Sequence, residues 1–371
     1  MKEPIRVLLV VPSLSLANGV SAFVMNYFRR VNHEEVVFDF AVLHDRESPY
    51  NAEIQEKGSR IFTLPSLKTP MRHIEACREI IANGNYAIVH NNSLILTIPL
   101  MLIAKRQGVP VRILHSHNSK MGDTRIKSIR NNLLLPLLRS TATDYFACSK
   151  LAGEAMFGKE AYTVLPNVIN TKRFTFDNNK RLQIRKKMGV SDKIVVATVG
   201  RAADQKNPLF ALRVIKCLLE ILPNTQYWWI GNGPLEEKMK SYAKELGIDD
   251  HIAFLGKRTD MVDLYQAMDV FFLPSIFEGL PLTGVEAQAM GLPCVVSDTV
   301  TDEMAYTDLV DFVSLNESLQ VWADHLDAAC HRKQNRSEYT KILQNSDYSD
   351  ETGGVKLEEL YTSCLEKVGY R

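Results

Sequence analysis

The sequence predicts an α/β chain built as two successive domains, each a parallel sheet covered by helices. Three observations predict it. At 371 residues the chain is longer than one core usually organises. Apolar runs of strand length alternate with helix-length amphipathic stretches, the pattern of parallel sheets covered on both faces. The alternation stops at a polar, basic connector, Thr171–Lys187, and restarts with a strand at Lys193–Val199.

Composition narrows the class. Hydrophobic content of 46% and charged content of 23% are ordinary for a soluble globular chain. A formal net charge of +1 supplies no global field for nucleic acid, and no nucleic-acid partner is expected. Cys77, Cys148, Cys217, Cys294, Cys330 and Cys364 are scattered without a Cys-x-x-Cys. They read as buried thiols in a reducing compartment. Ile5–Val11 is too short for the apolar core of a signal peptide and reads as a first strand. The longest apolar run, Leu94–Ala104, is about eleven residues with Pro99 inside it, too short to span a bilayer. The expected location is the cytoplasm, either free or on the inner face of the membrane.

In the first half, Ile5–Val11 leads through a loop, Pro12–Gly19, into a helix, Val20–Val31, with Phe23, Tyr27 and Val31 on one face. Strand, glycine-bearing loop and helix open a Rossmann-like unit. The Gly-x-Gly-x-x-Gly fingerprint is absent, which disfavours a nicotinamide or flavin enzyme, and no cofactor is expected. Strands follow at Phe38–Leu43, Ile61–Leu64, Ala87–His90 and Val111–Leu114, with helices at Met71–Asn83 and Leu94–Arg106. His115-Ser116-His117-Asn118 comes next; a His-x-His lacking a third ligand nearby is a weak zinc signal, so no metal is expected. Thr124–Ser140 is helical, with Arg125, Lys127, Arg130 and Arg139 set against leucines and isoleucines. It is either a basic helix lying on anionic lipid or an ordinary surface helix packed on the sheet. A strand at Asp144–Cys148, a helix from Ser149-Lys150 and a strand at Tyr162–Leu165 complete this half.

After the connector, Lys193–Val199 runs into Gly200-Arg201-Ala202-Ala203-Asp204-Gln205-Lys206-Asn207-Pro208. Arg201 and Lys206 share this strand-to-helix loop and suit a diphosphate, arginine as a fork and lysine as a point charge. Asn207 is expected to cap the helix that Pro208 begins. Helix Leu209–Leu222, strand Gln226–Ile230, turn Gly231–Pro234, helix Leu235–Leu246, strand Ile252–Leu255 and helix Asp260–Met268 follow. A buried strand, Asp269–Pro274, then meets a Glu-Gly-Leu-Pro loop and a helix, Leu282–Met290, stopped by Gly291 and Pro293. Cys294–Ser297 is expected to complete the second sheet, with helices at Leu319–Arg332, Ser337–Gln344 and Asp350–Val368 after it.

The chemistry centres on Ser275–Pro293. Glu278 lies in the loop at the carboxyl end of a strand, and Glu286, seven residues between them, lies about one turn into the next helix. Open α/β sheets bind ligands there. The helix start offers free N–H groups and a positive dipole for a phosphate. Two ionised carboxylates accept hydrogen bonds from hydroxyls. Phosphate plus polyol describes a nucleotide sugar.

The string Ser275…Glu278-Gly279-x-Pro281…Glu286-Ala287-x-Ala289-x-Gly291-x-Pro293 resembles the Glu-x7-Glu motif of the retaining glycosyltransferases of family 4. Gly200-Arg201…Gln205-Lys206-Asn207 resembles that family's Gly-Arg…Gln-Lys-Asn segment. Pro166-Asn167-Val168-Ile169-Asn170 is similar to its Pro-Asn-Gly-Val-Asp, with Val168 in place of glycine. Gly19 stands at its phosphate-approach glycine, and Asn18 replaces the first glycine of the usual pair.

The resemblance implies two Rossmann-like domains with parallel sheets facing a central cleft, the GT-B fold. Residues 1–170, with a returning helix from 350–371, would be the acceptor-side domain. Residues 171–349 would bind the nucleotide sugar, a UDP-sugar. It places Glu286 on the ribose, and Arg201, Lys206 and the Gly19 loop on the leaving diphosphate. Glu278 with Gly279, Leu280 and Leu282 would hold the sugar, and the segment of Arg258 would meet the base. His117 would face the donor sugar, as the histidine in the loop proper, with His115 as the alternative. The implied activity is metal-independent retaining hexosyl transfer to a glycan or lipid-linked acceptor in surface polysaccharide synthesis. Front-face attack is favoured, because no carboxylate is clearly placed as a nucleophile for double displacement. A UDP-sugar 2-epimerase of similar plan and an inactive homologue acting as a binding subunit are the other readings. The joint presence of Arg201, Lys206, Glu278 and Glu286 favours the transferase.

Overall fold

The computed structural model describes residues 3–15, 19–43, 48–118 and 125–370. Asn18 and Thr124, named above, lie outside the described residues. The chain forms two compact units, Met1–Val168 with Asp350–Arg371, and Ile169–Ser349.

The first unit holds a seven-stranded sheet: β1 (Ile5–Val11), β2 (Val36–Val42), β3 (Ile61–Thr63), β4 (Ile88–Asn91), β5 (Val111–Ser116), β6 (Asp144–Ala147) and β7 (Thr163–Val164). The order is β3-β2-β1-β4-β5-β6-β7 and every pairing is parallel. Strands covered by helices on both faces must be apolar on both faces. β1 shows this: only Arg6 among its residues is not buried. The helix Asp350–Lys367 belongs to this unit and adds Leu357, Tyr361 and Leu365 to its core. Gly354 permits the approach, because a Cβ there would lie 2.3 Å from the Arg30 carbonyl oxygen. Arg30 and Asp350 close the contact with an ion pair at 2.5 Å.

The second unit holds β8 (Ile194–Val199), β9 (Thr225–Ile230), β10 (Ile252–Gly256), β11 (Val270–Leu273), β12 (Cys294–Ser297) and β13 (Val310–Val313). Its order is β10-β9-β8-β11-β12-β13, again all parallel. Tyr227, Trp228 and Trp229 on β9 are fully buried. In each sheet the strand order reverses at one place, between β1 and β4 and between β8 and β11. Those are the topological switch points where such sheets leave a crevice at the carboxyl ends of their strands.

Four local expectations change. Cys294–Ser297 does not complete the second sheet, since β13 pairs outside it; the charge of Asp311 hid so short an edge strand. The connector is not merely a polar link. Asn178–Lys187 is a helix, capped by the Asp177 side chain, and its Arg181 and Arg185 grip Asp269 at 2.5 and 2.9 Å. Leu94–Arg106 divides into a 3₁₀ turn, Leu94–Thr97, and an α-helix, Ile98–Arg106, with Pro99 in its first turn. Asn207 does not cap through its side chain: its backbone is left-handed, with φ of 53°.

The helix Arg125–Arg139 carries aliphatic residues on its outer side. Ile126, Ile129, Leu133 and Leu137 are 82%, 62%, 79% and 44% exposed, whereas Leu138 is buried. No described helix is long and apolar enough to cross a membrane.

Candidate active site

The loops after β8 and β11 are neighbours because their strands are paired. The β8 loop is also pressed against the loop after β9. Gly231 has φ of +131°, and a Cβ on it would lie 2.3 Å from the Gly200 carbonyl oxygen. Gly233 stands equally close to the carbonyl of Ala202, so both turns need glycine.

From this base a short 3₁₀ turn, Asp204–Lys206, projects Gln205 and Lys206 toward the β11 loop. Lys206 Nζ lies 2.5 Å from Glu278 Oε1. Ser275 Oγ donates to the same oxygen at 2.7 Å, and Gln205 Nε2 donates to Glu278 Oε2 at 3.3 Å. The Ile276 amide donates back to the Gln205 carbonyl at 2.8 Å. Ser275 is itself held by Thr299, whose hydroxyl donates to the Ser275 carbonyl at 2.7 Å. Glu278 is buried, and Lys206, Ser275 and Gln205 are among the partners that face its carboxylate oxygens.

Glu286 stands on the helix Leu282–Ala289, whose first turn has no side-chain cap. Tyr265 Oη donates to Glu286 Oε2 at 2.8 Å. Burial pushes the Glu286 carboxyl up to about 7, against the opposing pull of the Tyr265 hydroxyl and the charge of Arg173. Tyr265 is placed from behind by Arg336, whose guanidinium donates to the carbonyls of Tyr265, Met268 and Met290. Arg336 thereby ties the end of the Tyr265 helix to the end of the Glu286 helix, and it stacks on Phe176 at 4.1 Å.

The structure thus joins Lys206 to Glu278 and gives Glu286 a separate partner. Arg201 is exposed on the β8 loop. Arg258 makes a bidentate pair with Asp260, at 2.8 and 2.6 Å. Gly279, Leu280 and Leu282 are buried in the β11 loop and helix start. Sequence reasoning did not single out Tyr265 or Gln205 as site residues. Tyr265 lies in a short helix that carries no recognised motif, and Gln205 stood only as part of the Gln-Lys-Asn string. A polar groove of about 540 Å³ around Arg181 and Arg336 lies at the amino end of β11, and none of the candidate residues lines it.

In the first unit, Gly19 opens the helix Gly19–Phe28, and a Cβ there would touch nothing within 4 Å. His115 is the fifth residue of β5 and fully buried, while His117 stands just past the strand end and is partly exposed. Their rings stack at 4.2 Å rather than converging on a shared point. Among the described residues no group of three His, Cys, Asp or Glu side chains is placed to hold a metal ion.

Two parallel-sheet Rossmann-like units, with paired polar loops at the switch point of the second, define the GT-B class of glycosyltransferases. Solved GT-B enzymes share the fold: Anabaena Alr3699/HepE, in complex with UDP and glucose, superposes with a TM-score of 0.80 over 97% of this chain and all of that one, at 14% identity. The family model for glycosyl transferases group 1 matches residues 180–342. A putative glycosyltransferase of Bacillus subtilis, EpsF, is 31% identical over 98% of this chain and 97% of its own length. The Escherichia coli UDP-Gal:alpha-D-GlcNAc-diphosphoundecaprenol alpha-1,3-galactosyltransferase is 28% identical over 77% of both chains. The chain belongs to the glycosyltransferases.

Proposed function

We propose that this glycosyltransferase is a retaining hexosyltransferase of family 4 that takes a UDP-sugar, needs no divalent metal, and transfers to a lipid-linked glycan in surface polysaccharide synthesis. One observation carries the reading: at the switch point of the second sheet, Lys206 and Glu278 meet in one nearly buried pair. A cation there suits the diphosphate, and a carboxylate there suits the sugar. The UDP and lipid-diphosphate assignments draw on the relatives named above, which carry those groups in their own descriptions.

The site residues then divide the work. Glu286 offers Oε1 to the ribose hydroxyls, since Oε2 is taken by Tyr265. Lys206 and Arg201 face the diphosphate, and Glu278 accepts from the sugar hydroxyls. As the bond from the anomeric carbon to the phosphate oxygen breaks, negative charge grows on the diphosphate, and the two cations stabilise it. The acceptor hydroxyl attacks the same face of the sugar, and its proton passes to the departing phosphate oxygen. Glu278 serves as an orienting group in this scheme, because Lys206 and Ser275 already hold its Oε1.

The helix Arg125–Arg139 supports peripheral attachment to the inner membrane face. It contains Arg125, Lys127, Arg130 and Arg139, no acidic residue, and an exposed aliphatic stripe. An anionic bilayer complements both features, and it is where a lipid-linked acceptor would reside.

The test is transfer from a panel of UDP-hexoses to a lipid-diphosphate-linked saccharide, with chelator present and the product's anomeric configuration read by NMR. The reading predicts full turnover in chelator and the donor's configuration in the product. Metal-dependent turnover, an inverted linkage or an epimerised nucleotide sugar would overturn it.

A further inference from the structure

Next to the switch point of the first sheet, β4 and β5 run side by side, with His90 paired to Ile113 and Asn91 to Leu114. Just past their ends stand Asn92 and His117. Asn92 Oδ1 lies 2.8 Å from His117 Nε2. The other end of the Asn92 amide is also committed, since Nδ2 donates to the His90 carbonyl at 3.3 Å. That second bond sets which way the amide faces, so the atom toward His117 is the oxygen. An amide oxygen only accepts, so His117 Nε2 carries the proton. A neutral imidazole has a single N–H, which leaves Nδ1 as a bare acceptor.

The surroundings keep the ring neutral and still. Phe23 sits edge-on at 4.8 Å and His115 stacks at 4.2 Å. Among the described residues, the titratable groups that face it are His115 and, behind that, His90, which is bonded to His115 at 3.0 Å and to the Tyr361 hydroxyl at 2.7 Å. None of these is an anion that would favour an imidazolium. Burial pushes His117 and His90 down to about 3, and it holds His115 well below the usual imidazole range. Nδ1 of His117 has no partner among the described residues.

We propose that Asn92 is a positioning residue that locks His117 as its Nε2–H tautomer, so that His117 presents Nδ1 as a hydrogen-bond acceptor to a hydroxyl of the sugar substrate and does no acid–base work. The role rests on the glycosyltransferase reading, whereas the tautomer does not. Asn92 is buried, with both ends of its amide bonded, and is spent on orientation rather than on substrate.

Long-range proton–nitrogen correlation spectra of histidine-labelled protein read the tautomer directly and need no substrate. The expected result is a His117 ring protonated at Nε2 and bare at Nδ1, unchanged between pH 5 and pH 8. In Asn92→Asp the carboxylate faces Nε2–H and favours the imidazolium, so His117 is expected to titrate within that range. Transfer by this variant should then fall at low pH and recover at high pH, a profile absent from the unmodified enzyme. Asn92→Leu is expected to lower kcat about tenfold or more with UDP affinity unchanged. A wild-type ring protonated at Nδ1, or an Asn92→Asp variant in which His117 does not titrate, overturns the lock. If the spectra agree but both variants transfer at the full rate, the positioning role is overturned. If the wild type transfers no sugar at all, the glycosyltransferase reading fails, and the tautomer is still decided by the spectra.

Discussion

Lys206 Nζ and Glu278 Oε1 lie 2.5 Å apart, with both side chains almost withdrawn from solvent, at 13% and 8% exposure. One residue comes from the loop after β8 and the other from the loop after β11. Their meeting follows from strand order alone: the two strands are 71 residues apart in sequence yet adjacent in the sheet. The lysine's positive charge is therefore tuned by the carboxylate that the sugar is proposed to meet.

The first prediction follows from that coupling. Removing one member of a buried pair strands the other, which costs about 3–5 kcal/mol, whereas removing both costs far less. Lys206→Met alone should destabilise the second unit markedly. Lys206→Met combined with Glu278→Gln should recover much of the loss. A double-mutant cycle by denaturant melting should show coupling of about 2 kcal/mol or more. Additive losses would mean that the pair contributes nothing specific.

The second prediction concerns pH. The Glu286 carboxyl, raised to about 7 by burial, is protonated below that pH and ionised above it. On the proposed reading, ribose hydroxyls donate to Glu286 and favour its ionised form, so binding is expected to release a proton at acid pH. UDP affinity should fall about tenfold per pH unit below 7 and level off above pH 8. Folding stability runs the other way. The folded state keeps a proton that the unfolded chain has lost between about 4.5 and 7, so this group's contribution declines as pH rises across that window. Calorimetric UDP titrations at pH 6, 7 and 8 check the binding sign, and Glu286→Gln should flatten the dependence.

Most sheet strands were legible because they are short, mainly apolar runs; β13, interrupted by Asp311, was not. Glu278 and Glu286 were legible because loop-to-helix spacing places both at one strand end. Partnerships across the sheet were not. Nothing local says that Tyr265 bonds Glu286, a contact between the helices before and after β11, or that Asn92 faces His117, a contact that the pairing of β4 with β5 creates. The helix Asn178–Lys187 was hidden for a related reason. Its basic residues read as solvated, and only the position of Asp269 shows that Arg181 and Arg185 are anchors. The exposed stripe on Arg125–Arg139 was half legible: its charges were visible, but which side its aliphatics face depends on what the helix packs against.

The third prediction uses that stripe. With a formal charge of only +1 overall, attraction to anionic lipid must be local and screened by salt. The protein should sediment with anionic vesicles at low salt, less at high salt, and little with neutral vesicles. Ile129→Ser together with Leu133→Ser should weaken binding about tenfold or more without lowering thermal stability, because both side chains already face solvent. Equal sedimentation with anionic and neutral vesicles would make this an ordinary surface helix.

The most direct test of the donor site compares Glu278→Gln and Glu286→Gln by UDP calorimetry and steady-state kinetics. Glu286 is assigned to the ribose, which does not change during transfer, so Glu286→Gln should weaken UDP and UDP-sugar binding together and act mainly on KM. Glu278 is assigned to the sugar, beside the developing positive charge. Glu278→Gln also leaves Lys206 with less negative charge beside it. It should therefore bind UDP as well as the unmodified protein or better, while kcat falls about a hundredfold or more. If Glu278→Gln loses UDP affinity and Glu286→Gln loses only turnover, the two roles are reversed and the donor lies otherwise in the site.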